Sequence, residues 1–381
     1  MLIFSSEKEA DIMPDENVIL RKIRGFVNGS GETHLEKKKH ATKVMFIFGF
    51  GLLLIMFLLS LCIGPNGFIN PVEAISSLFS AISKGGSDLT NTEVTIYSSR
   101  MPRALAAIGV GVGLSIAGAA YQAVIRNPLV DPYIMGVSSG AGTFAIASIA
   151  YGFTFFGLLG RHSPFLIAVS AIIGGLLAFG LTLILAHRAG SSTNAYVLSG
   201  VVVGLVFGAV QTIMIIFSGN ALTNTMLWLF GSFSQITRLD VICIVVPVAI
   251  LTVCIMRYSK ELNLVLLGDS QARQMGLNVK RFNAMMLIIA SILASFCVAF
   301  VGIIGFVGLV IPHLCRMIFG GDHRIVLPAS IAFGGSIMIG ADLLARMIMP
   351  GLELPVGAIT TLIGVPVFAY LLIKKGKIYN G

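Results

Sequence analysis

Charge is scarce in this chain. Of 381 residues only 11% are Asp, Glu, Lys or Arg, against about 25% in a soluble globular protein. So few charges cannot clothe a water-facing surface, so a soluble fold is excluded. Cysteine patterns are missing too. Cys62, Cys243, Cys254, Cys297 and Cys315 form no CxxC pair; each lies in an apolar stretch, where Cys behaves as a small hydrophobe. The six histidines are scattered, and no His/Cys/carboxylate cluster has metal spacing. No GxxxxGK[ST] phosphate loop occurs, and neither does G-x-S-x-G or H-E-x-x-H. The chain is therefore not expected to bind ATP by that loop, to hold a metal or cofactor, or to be an enzyme. No basic stripe is interleaved with aromatics, so nucleic acid is not an expected partner despite a net charge of +9.

What is present is apolar. Hydrophobic residues make up 56% of the chain and the mean hydropathy is +0.92. Most of the surface must then face a lipid bilayer. The 43 glycines fit close helix packing in lipid, where small residues let backbones approach. Gly200, Gly204 and Gly208 recur on one helix face, as do Gly109 and Gly113, and helix packing is their expected role. Ten apolar spans are legible, at 44–63, 104–125, 134–152, 165–186, 195–218, 241–256, 282–302, 305–319, 326–345 and 356–373. Val44–Ile63 carries no charge and reaches about 30 Å as a helix, one hydrocarbon core. A signal peptide would have an apolar region of about 7–15 residues and a small-residue cleavage site; this run is longer and ends in Cys62-Ile63-Gly64-Pro65. The 305–319 span is short and holds Pro312, which reads as a half-helix lined by protein. Residues 219–240, around Trp228, read as an interfacial helix.

Residues 1–43 are polar and form an expected cytoplasmic extension, with a short helix near 14–27. With the N-terminus inside, twelve Lys and Arg beyond this tail fall on the cytoplasmic side and six on the other. That asymmetry supports ten spans with both ends in the cytoplasm.

Among the polar residues, Asp342 lies well inside a span, four residues before Arg346, so a local ion pair is expected. Gln122, Asn127 and Asp131 follow span two and are expected to satisfy loop backbone groups. The loop from Glu261 to Arg281 reads as two short helices with a bend. Asp269 or Ser270 would cap the first, Gly276 would end it, and a second would begin near Asn278. Such a knob suits docking of a soluble partner.

Four motifs and a fifth carry a resemblance. They are Arg100-Met-Pro-Arg103, the stretch from Gln122 through Arg126-Asn-Pro-Leu-Val-Asp-Pro132 to Gly136-Val-Ser-Ser-Gly140-Ala, Leu267-Gly-Asp-Ser-Gln-Ala-Arg-Gln-Met-Gly276, Gly305-Phe-Val-Gly-Leu-Val-Ile-Pro-His313 with Asp322-His-Arg324, and Glu353-Leu-Pro-Val-Gly357. In this order, over residues 44–375, the chain resembles the FecCD-type permeases, importers of iron–siderophore complexes, haem and cobalamin. The long N-terminal tail departs from that pattern. The resemblance implies an all-α, ten-helix type II ABC importer permease fold. It implies a homodimer with the path at its interface, two cytoplasmic ATPases that bind the ATP, and an external substrate-binding protein. By motif, Arg100, Arg103 and Arg346 match outer-face cations that dock the binding protein. Leu267, Gly268, Asp269, Ser270, Ala272, Arg273 and Gly276 match the segment that couples to the ATPase. Thr193 and Asn194 match a gate near the cytoplasmic end of the path. Iron(III)–siderophore is the expected cargo, ahead of cobalamin and haem. An ion-coupled secondary transporter and a membrane-embedded enzyme are the rival classes; the first lacks intramembrane ion ligands beyond Asp342, the second lacks a catalytic cluster.

Overall fold

The computed structural model describes residues 34–65, 67–153, 164–349 and 351–379, with side chains of 34–38, 193 and 371–379 outside the description. Most of the tail, the expected helix near 14–27 and Arg161 lie outside the described residues.

The chain is helical almost throughout. Helix α1 (His34–Val44) passes through one π-helical turn (Met45–Phe50) into α2 (Gly51–Cys62). A two-stranded hairpin, β1 (Ile63–Gly64) with β2 (Gly67–Phe68), follows. Next come α3 (Pro71–Ser83), the short α4 (Asn91–Val94), a π turn (Thr95–Arg100) and the long α5 (Met101–Ile125). Then α6 (Val137–Tyr151), α7 (Pro164–Arg188), α8 (Thr193–Ile216), α9 (Leu222–Leu229), α10 (Arg238–Arg257), α11 (Ser259–Leu266) and α12 (Asp269–Gln274) succeed one another. The last four are α13 (Val279–Val301), α14 (Val307–Phe319), α15 (His323–Met347) and α16 (Val356–Tyr379).

Among the described residues seven helices are long and apolar enough to cross a membrane, and three shorter apolar helices, Val137–Tyr151, Val307–Phe319 and Val356–Tyr370, join them. All ten coincide with spans expected from the sequence. The α14 segment is about 20 Å long and starts from an irregular run at 302–306, where Gly302 and Phe306 have positive φ. The interfacial segment is shorter than expected: only Leu222–Leu229 is α-helical, and 230–237 turns back toward α10.

Helix α5 is the centre of the bundle. Nearly every residue from Pro102 to Ile125 is buried, and its neighbours are α10, α13, α14 and α15. Small residues make this packing possible. A Cβ on Gly111 would sit 2.2 Å from the Gly334 carbonyl of α15, and one on Gly118 would sit 1.8 Å from the Gly308 carbonyl of α14. Gly140 on α6 and Gly174 on α7 approach each other in the same way, at 2.3 and 2.4 Å. On α8, however, only Gly200 makes such a contact, 2.1 Å from the Ile134 carbonyl; Gly208 faces open space. Of the three-glycine stripe expected to pack, Gly200 packs tightly, Gly204 packs at ordinary contact distance against Ser139 and Gly136, and Gly208 does not pack.

Candidate functional site

Helix α5 carries an arginine at each end. Arg103 lies in its first turn and Arg126 caps its last, about 35 Å apart at 1.5 Å per residue. Each belongs to a separate polar cluster.

At the Arg103 end a cavity of about 320 Å³ is lined by Arg100, Arg103, Arg346 and Glu353, with Pro65, Thr95, Ser99, Met349, Gly351 and Leu352. The sequence places the three arginines on one rim as exposed cations. The structure does bring them together, but buries them: they are 3%, 7% and 4% exposed. The reason is that each finds acceptors inside the chain. Arg100 Nη1 donates to the Leu61 and Cys62 carbonyls at 2.8 and 2.7 Å, and its Nη2 donates to the Gly67 carbonyl at 2.8 Å. The β1–β2 hairpin thus wraps one guanidinium. Arg103 Nε donates to both oxygens of Asp342, at 2.8 and 3.0 Å, and Arg103 Nη1 to both oxygens of Glu353, at 2.8 and 2.9 Å. Arg346 Nη2 donates to the carbonyl and hydroxyl oxygens of Ser60, at 3.1 and 2.6 Å. The expected Asp342–Arg346 pair is present, but at 3.7 Å it is the looser of the two Asp342 contacts.

The cluster is not saturated. Arg103 Nη2 and Arg346 Nε are buried without a hydrogen-bond acceptor among the described residues. Three guanidinium groups face two carboxylates, so the site keeps a net positive charge. A low-polarity surround strengthens that charge relative to water.

At the opposite end, α11 and α12 form the knob read from residues 261–281. Leu262, Val265 and Ala272 are fully buried and fix it to the bundle. The turn chemistry differs from expectation. Gly268, with φ of 106°, is the N-cap of α12, and neither Asp269 nor Ser270 caps it. Asp269 instead pairs with Arg126. Gly276, φ 87°, does end the helix: its N–H donates to the Arg273 carbonyl, and Leu277 N–H to that of Ala272. The second short helix is absent, because Asn278 caps the long α13 directly by accepting from Arg281 N–H at 3.2 Å. Ala272 points into the bundle, whereas Leu266, Leu267 and Met275 are exposed. The knob therefore presents three large apolar side chains among polar ones.

A second anchor holds the knob. Asn263 on α11 donates from Nδ2 to Asp322 Oδ1 at 2.8 Å, and its Oδ1 accepts from His323 N–H at 2.9 Å. The knob is therefore tied to the ends of both α5 and α15, the two helices whose other ends build the cavity. Gln122 behaves as expected, its Nε2 donating to the carbonyls of Val130, Gly308 and Leu309. Asn127 and Asp131 accept from the N–H groups of Leu129 and Tyr133. Burial pushes the Asp131 carboxyl up to about 6, against the pull of the Tyr133 N–H.

Residues Thr193 and Asn194 begin α8, with Ser192 as the N-cap accepting from Ala195 N–H at 3.1 Å. Asn194 is exposed. Among the described residues, no hydrogen bond or ion pair of Asn194 joins it to the knob or the cavity, and the Thr193 side chain lies outside the description.

The ten spans, the Gly-packed centre and the two polar ends define a multi-pass permease of the type II ABC importer fold. The chain belongs to the FecCD transport family, whose model matches residues 52–374. It is similar to the vitamin B12 import system permease protein BtuC of Klebsiella pneumoniae, 35% identical over 90% of this chain and 96% of that one. It is also similar to the cobalamin import system permease protein BtuC of Halobacterium salinarum, 37% identical over 74% and 73%. Among solved structures, one described as the inward-facing conformation of a metal-chelate type ABC transporter superposes with a TM-score of 0.75, 29% identity and coverage of 87% of this chain and 99% of that chain.

Proposed function

We propose that this ABC importer permease carries a metal chelate across the cytoplasmic membrane as one half of a homodimer. Two cytoplasmic ATPases bind the ATP, and an external binding protein delivers the cargo. The chain itself holds no cofactor and catalyses no reaction. Both of its termini lie in the cytoplasm, residues 1–43 forming the polar extension and 44–375 the permease domain. The observation that carries this reading is the pairing of a cation-rich cavity at one end of α5 and α15 with an apolar-tipped knob at the other.

A carboxylate on the binding protein suits the cavity, because arginine pairs bidentately with carboxylate and two buried arginine donors there have no acceptor among the described residues. Through Leu267, Gly268, Asp269, Ser270, Arg273 and Gly276 the knob offers a surface to the ATPase. Ala272 supports it from beneath. Thr193 and Asn194 gate a weakly polar path.

The cargoes expected from the sequence are iron(III)–siderophore, cobalamin and haem. The relatives named for cobalamin import favour cobalamin as the first to test, with iron(III)–siderophore second. The test is uptake into proteoliposomes holding the permease, its ATPase and its binding protein. ATP-dependent accumulation of one chelate, blocked by omitting the ATPase, supports the reading. Uptake driven by an ion gradient without the ATPase would refute it.

A further inference from the structure

The carboxylates at the cavity differ in freedom. Asp342 stands within α15, is 0% exposed and is held there by Arg103 and Arg346. Glu353 stands on the non-helical run between α15 and α16, and its side chain is 36% exposed on the cavity wall. Both grip the same guanidinium, Asp342 at Nε and Glu353 at Nη1, while Nη2 has no acceptor among the described residues.

We propose that Glu353 is an internal stand-in for a docking carboxylate: it holds Arg103 Nη1 in the free permease and yields that position to an acidic side chain of the binding protein. The inference rests on the docking role proposed above for this cavity. An incoming carboxylate that uses the end of the Arg103 fork needs Nη1 and Nη2 together, and Glu353 already covers Nη1 with both oxygens. Two carboxylates side by side repel. Asp342 is fixed, so Glu353 is the one that moves, and its partly wet carboxylate returns to water at little desolvation cost.

The exchange has a structural consequence. The run is held just after Glu353: Leu354 N–H donates to the Ala345 carbonyl of α15, and Val356 N–H to the Gly231 carbonyl, each at 2.9 Å. Val356 is the first residue of α16. Releasing Glu353 therefore frees the turn at 351–353, while these two backbone bonds keep the start of α16 in place and the Arg103–Asp342 pair stays intact. Docking is read out as freedom of that turn, with the released carboxylate in water.

The experiment uses the full transporter in nanodiscs and its fluorescently labelled binding protein as the probe. Glu353→Gln removes the competing charge and should tighten binding about two- to fivefold at low salt, the range expected for one partly exposed ion pair. Glu353→Ala should act in the same direction, and high salt should shrink both gains. A Leu352→Cys permease, its new thiol left free at this exposed position, should react faster with a thiol reagent once the probe is bound. Thermal unfolding of each variant checks that it is folded. A binding protein whose docking acids are changed to Gln tests the underlying reading: if it binds the wild-type permease as tightly as before, the docking role fails and the inference with it. If that protein binds weakly yet folded Glu353→Gln permease binds the unaltered protein no tighter, or the Leu352→Cys rate stays constant, the stand-in role alone is overturned.

Discussion

Arg103 and Asp342 lie 239 positions apart and share two hydrogen bonds at the wall of the cavity. The pair joins the start of α5 to the last turns of α15, and both members are buried. Removing one partner of a buried pair leaves the other charge uncompensated, at about 3–5 kcal/mol. Asp342→Ala, which strands Arg103 and Arg346 together, is expected to lower the thermal unfolding midpoint in detergent well below that of wild type. Arg103→Met with Asp342→Leu should recover only the part of the loss that comes from Arg103, since Arg346, buried beside Asp342, still lacks its carboxylate. The double variant should still fail in uptake, because the cavity has lost its guanidinium.

Glycine contacts give a second expectation, with an internal control. Gly118→Ala forces a methyl against the Gly308 carbonyl, whereas Gly208→Ala meets open space. Overpacking of this kind costs about 1–3 kcal/mol. Gly118→Ala should cut the yield of folded permease and lower its midpoint. Gly208→Ala should match or slightly exceed wild type in the same assay, because Ala is the better helix former; an equal loss at both positions would show that contact with the Gly308 carbonyl does not govern Gly118.

Coupling is tested at the knob. Gly276 has positive φ and an exposed Cα, so Gly276→Val strains the turn by about 1–3 kcal/mol without touching the core. Insertion should be unchanged, and uptake should fall further than the modest drop in unfolding midpoint accounts for. Met275→Glu, which puts a charge on the exposed apolar tip, should weaken ATPase association. Ala272→Trp should behave differently from both, because Ala272 is fully buried: it should displace the knob and reduce folded protein. Uptake at the wild-type level in Gly276→Val and Met275→Glu would remove the coupling role of this segment.

Asp131 supplies a pH dependence with a defined sign. Its carboxyl is raised from 3.8 to about 6 by burial, so the folded chain binds the proton more tightly than the unfolded one. Stability contributed by this group is full below about pH 4 and is lost as pH rises through about 6. Asp131→Asn keeps the oxygen that accepts from Tyr133 N–H and cannot ionise. Its unfolding midpoint should be flatter than wild type between about pH 4 and pH 6. An unchanged slope would show that other groups set the dependence there.

Much of the fold was legible because hydrophobicity is local information. An uncharged run as long as the hydrocarbon core must become a helix to satisfy its own backbone, and all ten expected spans are helices. The knob was legible for a related reason, since Gly276 and Asn278 act on the residues beside them. The errors were of a different kind. Asp269 reads as a cap until Arg126 claims it, and Ala272 reads as a surface residue until α11 and α12 are laid on the bundle.

The sequence by itself determined the lipid environment, the number and order of the spans, the family motifs and the two ends where polar residues gather. Only the tertiary structure decided what those polar residues do. Arg100, Arg103 and Arg346 read as exposed cations because a sequence shows a charge but not its acceptors. The acceptors come from the hairpin carbonyls near Cys62, from Ser60, and from Asp342 and Glu353, most of them brought close only when distant helices pack. A guanidinium taken out of water must find such oxygens or lose its solvation uncompensated, so packing alone fixed which arginine donors are filled and which stay open.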